Sequence, residues 1–225
     1  MLEYLEILKE VFINESRYWY LVEGLGFSIA TTALSALIGI ALGILIALMQ
    51  LSTWRVLSKL AFAYVYIIRG TPVVVQLMIW ANIVFVGALR DMPILLIAAI
   101  AFGINSGAYV AEIIRAGIAG LDKGQMEAAR ALGMGYALSM KEIIIPQAIK
   151  RILPPLVSEF IALLKETSIV GFIGGVDLLR AANIITSQTY RAIEPLLVVG
   201  IIYLILTSIF AMLMRKVEKR LKESD

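Results

Sequence analysis

From 195 to 214 the chain runs without a single Asp, Glu, Lys or Arg. About 20 mostly apolar residues are what one helix needs to cross a bilayer. Four further stretches, 22–50, 60–88, 93–119 and 148–172, are at least as long and largely apolar. Hydrocarbon offers no partner to a backbone amide or carbonyl, so segments of this kind must be helical. The composition agrees: 60% of 225 residues are hydrophobic, against roughly 45–50% in a globular chain. The predicted fold class is an all-α integral membrane protein with five transmembrane helices.

Orientation follows from counting Lys and Arg in alternate loops, since these residues collect on the cytoplasmic side. One set of loops, the C-terminal tail and the first residues of the fourth stretch (Lys150 and Arg151) carry twelve of the 20, the other set five, and Arg69, Arg115 and Lys165 fall deeper inside the spans. The prediction is therefore N-out and C-in, which requires an odd number of spans. Residues 1–21 alternate Glu with Leu, Ile, Val and Phe at helical spacing and are expected to form an amphipathic helix at the interface. The start lacks the basic residues and small-residue cleavage site of a signal peptide. Residues 22–214 form the transmembrane domain, and 215–225 a basic cytoplasmic tail.

The composition also excludes chemistry. There is no Cys and no His, so thiolate and imidazole metal sites, disulfides and histidine-based triads are impossible. No Gly-x4-Gly-Lys-Ser/Thr occurs, so the chain has no phosphate-cradling loop for ATP. A net charge of +3 gives no reason to expect nucleic acid. No catalytic or metal residue is assigned.

One connection stands out by length. Residues 120–147 lie between the third and fourth spans, on the cytoplasmic side, and a connection that long is usually functional. Helix-forming residues with Gly133 in their midst predict two short helices about a glycine hinge. Within it, Glu127-Ala128-Ala129 is followed by Gly133, and then by Ile143, Ile145 and Pro146. That spacing resembles the signature of the membrane subunits of ATP-binding-cassette importers, with Ile145 where leucine is commoner. Arg69-Gly70-Thr71-Pro72 running into Gln76-Leu77, residues 108–115, Gly124-Gln125, and Lys165-Glu166-Thr167-Ser168 narrow the resemblance to permease subunits of polar amino acid importers. It covers about residues 22–214.

The resemblance implies that 120–147 holds a coupling helix inserted into a cleft on an ATPase. Glu127, Ala128, Ala129, Gly133, Met134, Gly135, Tyr136 and Pro146 are its expected coupling residues. Small side chains at 128 and 129 suit close approach of another backbone, and Gly133 permits a sharp reversal. The resemblance also implies two ATPase subunits that bind ATP and Mg, a second membrane subunit giving a homodimer, and an extracellular solute-binding protein. The cell membrane of a prokaryote is the implied location.

Polar groups inside spans mark paths or pairs, because a charge there costs roughly 2.5–3.5 kcal/mol on insertion scales. Arg69, Gly70, Thr71, Asn105, Ser106, Tyr109 and Glu159 fall near the centres of three spans, with Glu112 nearer the cytoplasmic end. These eight are the expected substrate-binding residues. Pro72 beside Gly70 should break the second span and free backbone groups, as in transporters whose substrates bind at the midplane. Freed amides with Thr71 would hold a carboxylate, and Asn105, Ser106 or Tyr109 an ammonium. The same break also fits a packing kink. Glu112 and Arg115 fit a local ion pair or snorkelling. Glu159 has Ala162 and Leu163 at the helical positions where a cation would pair with it. It therefore meets either the cationic side chain of arginine, lysine or histidine, or Arg69.

The expected function is a permease subunit moving polar, basic L-amino acids inward by alternating access. An ion-coupled secondary transporter and a neutral, glutamine-type substrate stand as alternatives.

Overall fold

The computed structural model describes residues 2–86 and 91–222. Arg90 and half of the short turn expected at 89–92 lie outside the described residues, as do the last residues of the second expected span and 223–225 of the tail. Among the described residues the chain is helical and contains no strand.

The N-terminal segment is not one amphipathic helix. α1 (Leu2–Leu8) passes into a π-turn at Lys9–Ile13 and a 3-10 turn at Asn14–Ser16. Glu15 and Ser16 adopt positive φ, which interrupts regular helix. Val11 and Phe12 are buried, so this segment packs on the protein as well as presenting its glutamates to solvent.

α2 (Tyr18–Gln50) is the longest helix. α3 (Arg55–Arg69) and α4 (Val73–Val86) follow, joined by three residues and bent by 105°. The break falls where expected, because Pro72 has no amide hydrogen to continue the helix. α5 (Ile94–Ala119) is the most buried element, and its centre forms the core of the fold. Gly39 of α2 lies against Ser106 of α5, and Gly43 lies against Val110. The two helices therefore run parallel in close contact, as small residues four apart allow.

The connection at 120–147 contains α6 (Lys123–Ala131) and α7 (Tyr136–Ser139), then a π-turn at Met140–Ile144 that leads into α8 (Ile145–Glu166). A 3-10 segment, Thr167–Ile173, connects to α9 (Leu178–Thr189), which packs beside the N-terminal end of α2. α10 (Ile193–Lys222) closes the chain.

α2, α5 and Ile193–Val217 of α10 are each long and apolar enough to span a membrane, and the bent α3–α4 pair makes a fourth if taken as one span. α8 does not meet the same measure of apolarity, because it carries Lys150, Arg151, Glu159, Lys165 and Glu166. Only 6% of the apolar stretch of α10 is buried within the chain, so this helix turns its surface outward.

Candidate functional site

At the break between α3 and α4 the freed carbonyls are not left open. The Thr71 hydroxyl donates to the Ile67 carbonyl at 2.9 Å. Gln76, one turn into α4, donates Nε2 to the Ile68 carbonyl at 2.7 Å and to Thr71 Oγ1 at 2.7 Å. Its Oε1 accepts from Asn105 Nδ2 at 3.0 Å, which ties the break to the centre of α5. Gln76 belongs to the quoted motif, but nothing in the sequence gives it a task. Only the fold brings it to both partners.

Ser106 follows Asn105 and projects from another side of α5. Its hydroxyl donates to Glu159 Oε1 of α8 at 2.9 Å. Asn105 and Ser106 are buried and Glu159 is half-buried. Among the described residues no Lys or Arg forms an ion pair with Glu159. The Arg69 pairing that the sequence allows is not formed. Arg69 lies over the Tyr109 ring instead, 5.1 Å from its centroid, in a cation–π contact.

Below this pair, toward the end of α5, Arg115 meets Glu112 through two hydrogen bonds of 2.9 and 2.5 Å and lies over Phe62. The local ion pair foreseen at i,i+3 is thus present. Arg69, Gly70, Tyr109, Glu112 and Arg115 border a cavity of about 450 Å³ against the aromatic face of α3. Glu112 also borders a second cavity of about 490 Å³ with Gly117, Gly120 and Arg151, where the Arg151 guanidinium donates to the Gly120 carbonyl. The eight expected residues therefore fall into three groups: Thr71 and Asn105, both bonded to Gln76; Ser106 and Glu159, bonded to each other on another side of α5; and Arg69, Gly70, Tyr109 and Glu112 on an open cavity. Tyr64 donates its hydroxyl to the Ile104 carbonyl at 2.5 Å and fastens α3 to α5.

In the 120–147 connection the Asp122 side chain caps α6 by accepting from the Gly124 amide at 2.9 Å. Gly133 has φ +85°. The Met134 amide reaches back to the Ala129 carbonyl and the Gly133 amide to that of Arg130, which closes α6 in a Schellman turn. Glu127, Ala128, Gly135, Tyr136 and Pro146 are exposed, and Met134 is partly so. Ala129 differs from expectation: it is buried in its own chain, because the Met140–Ile144 turn packs against α6. Leu132, at 83% exposed, and Leu138 are exposed apolar side chains like Tyr136, and the motif did not single them out.

Among the described residues no cluster of acidic side chains is grouped to hold a metal ion. The fold and the polar interior define a multi-helix membrane transport subunit. Residues 39–223 match the family model described as binding-protein-dependent transport system inner membrane component, and the chain belongs to that family. It is 42% identical to the arginine transport system permease protein of Bacillus subtilis, across 92% of this chain and 94% of that one. It is 40% identical to the putative glutamine transport system permease protein of Rickettsia bellii, across 90% and 93%. A crystal structure of an amino acid ABC transporter with histidines superposes with TM-score 0.84 at 44% identity, covering 93% of this chain and 98% of that one. The MetNI methionine ABC transporter in an inward-facing form shares the fold, with TM-score 0.75 at 18% identity and coverage of 90% and 96%.

The protein is accordingly an amino acid ABC transporter permease and not an enzyme. Nucleotide binding falls to a partner ATPase, and a substrate-binding protein belongs to the same system.

Proposed function

We propose that this chain forms the membrane path for basic L-amino acids in a prokaryotic cell membrane. Two copies assemble with two ATPase subunits that bind ATP and Mg, and receive cargo from an extracellular solute-binding protein. Five spans run N-out and C-in, with α8 as the fourth. The parallel packing of α2 and α5 supports this, since the chain must cross back between them. α8 tolerates its charges because the middle one, Glu159, faces α5 and the others lie toward its ends.

The observation that carries the substrate reading is Glu159, a half-buried carboxylate in mid-helix held by Ser106 alone among the described residues. A guanidinium, ammonium or imidazolium on the cargo supplies the missing positive charge. The cavity beside Arg69 and Glu112 holds complementary charges for a carboxylate and an ammonium. On the cytoplasmic side Glu127, Ala128 and Tyr136 dock on the ATPase, Gly133 sets the angle of that contact, and Pro146 starts the helix that transmits its movement. ATP binding then draws the two coupling segments together and exchanges which side of the midplane is open.

The relatives named for glutamine transport support a second reading, a neutral polar cargo. ATP-driven uptake into vesicles holding the permease and its ATPase, with the solute-binding protein supplied outside and all twenty amino acids as competitors of labelled arginine, tests both. Competition by lysine and histidine with no effect of glutamine supports the first. The reverse order supports the second, and uptake that follows an ion gradient without ATP overturns both.

A further inference from the structure

Gln76 is 7% exposed, and its orientation is dictated by its surroundings. One end of its amide faces the Ile68 carbonyl at 2.7 Å, the Thr71 carbonyl at 3.2 Å and Thr71 Oγ1 at 2.7 Å. Main-chain carbonyls have no hydrogen to give, and the Thr71 hydroxyl proton is directed to the Ile67 carbonyl. The end facing the break must be the NH2 group, so Oε1 must face α5.

There Oε1 meets Asn105 at 3.0 Å. An acceptor admits only the Nδ2 end of Asn105, which turns Asn105 Oδ1 away from α4. Among the described residues nothing donates to that oxygen. Ser106 gives its single hydroxyl proton to Glu159 Oε1. A rigid main-chain carbonyl in the helix break thereby sets the polarity of two side-chain amides in turn. Asn105 Oδ1 is then an acceptor on α5 one residue from the separate Ser106–Glu159 pair, and one amide hydrogen of Asn105 is not turned to Gln76.

We propose that Gln76 is a specificity-determining positioning residue: by holding Asn105 with its carbonyl turned away from α4, it makes the cluster select an amino acid with a cationic side chain over one with a neutral amide. This rests on the reading that the midplane cluster meets cargo. Gln76 touches no cargo itself and acts through Asn105.

The test is direct binding of labelled arginine and glutamine to the permease–ATPase complex in lipid nanodiscs. The solute-binding protein is left out so that its own selectivity does not enter. The unmodified complex is expected to bind arginine more tightly than glutamine. Gln76→Leu frees Asn105 to turn and should lower that preference roughly tenfold, the effect of one hydrogen bond to a charged group. Gln76→Glu meets only acceptors at the break and is therefore expected to carry its proton there; it keeps its carbonyl oxygen toward Asn105 and should keep the preference. Adding Asn105→Asp to Gln76→Leu supplies acceptor oxygens whichever way the side chain turns and should restore it. A residue that only braces the helix break would weaken both ligands alike, so an unchanged ratio in Gln76→Leu overturns the proposal. Loss of preference in Gln76→Glu, or an unmodified complex that favours glutamine, overturns it as well. Should Gln76→Leu fail to assemble, Gln76→Glu decides by the same ratio. Asn105→Ala and Glu159→Gln separate the two levels. If they shift the ratio while Gln76→Leu does not, only the role of Gln76 falls, and if none shifts it the midplane reading falls too.

Discussion

Ser106 donates its hydroxyl to Glu159 across 2.9 Å, and this bond joins α5 to α8 near the middle of both helices. Ser106 is fully buried, and Glu159 is reached from one side only, so the contact anchors the carboxylate and leaves its second oxygen for another donor. Ser106→Ala should lower the thermal stability of the purified permease by about 1–3 kcal/mol, the effect of removing a donor from a largely buried acceptor. Ser106→Thr keeps the hydroxyl and should recover part of that loss. Equal melting temperatures for Ser106→Ala and the unmodified chain would mean that the bond contributes nothing.

Gly43 and Val110 define how closely α2 and α5 approach. A Cβ at position 43 would lie 2.6 Å from Val110 Cβ, well inside van der Waals contact. Gly43→Ala is expected to destabilise the chain by about 1–3 kcal/mol through overpacking. Val110→Gly in the same chain removes that Cβ together with its branches and should reverse most of the steric effect, measured against Val110→Gly alone. A double-mutant cycle on thermal stability reads the coupling, and additive single effects would contradict the contact.

Arg69 over Tyr109 is a cation–π pair at 5.1 Å, bordering the 450 Å³ cavity. Tyr109→Phe keeps the aromatic face and should leave uptake near that of the unmodified protein. Tyr109→Leu removes it, with an expected loss of about 0.5–1 kcal/mol for an exposed cation. Vesicle uptake with the two variants side by side separates ring from hydroxyl.

Gly133 sits at φ +85° with nothing within 4 Å of where a Cβ would be, so a side chain there meets strain and no clash. Gly133→Ala should cost about 1–2 kcal/mol and shift the angle between α6 and α7. Its effect belongs on the ATPase: cargo binding is expected to hold while cargo-stimulated ATP hydrolysis falls. Gly133→Asn, which tolerates this conformation better, should retain more coupling. A fall in cargo affinity with intact coupling would remove the loop from its assigned role.

Patterns local in the chain are legible in its residues. The break at Gly70 and Pro72 follows from a missing amide hydrogen, and the Glu112–Arg115 pair follows from helical spacing. The turn at Gly133 follows from the freedom of a residue without Cβ. Partners distant in sequence are not legible in the same way. Arg69 is as free to pair with Glu159 as to stack on Tyr109 until the rotations of α3, α5 and α8 about their axes are fixed.

By itself the sequence determined an all-helical membrane protein with a long connection at 120–147 and polar residues within its apolar helices, because hydrocarbon solvent and 3.6-residue periodicity act on neighbours along the chain. Only the tertiary structure decided that α3 and α4 bend by 105°, that Ala129 turns inward, and that Gln76 joins Thr71 to Asn105. Those outcomes depend on side chains converging from separate helices, and hydrogen bonds are short and directional, so an ångström of packing decides which of several chemically equivalent partners is met.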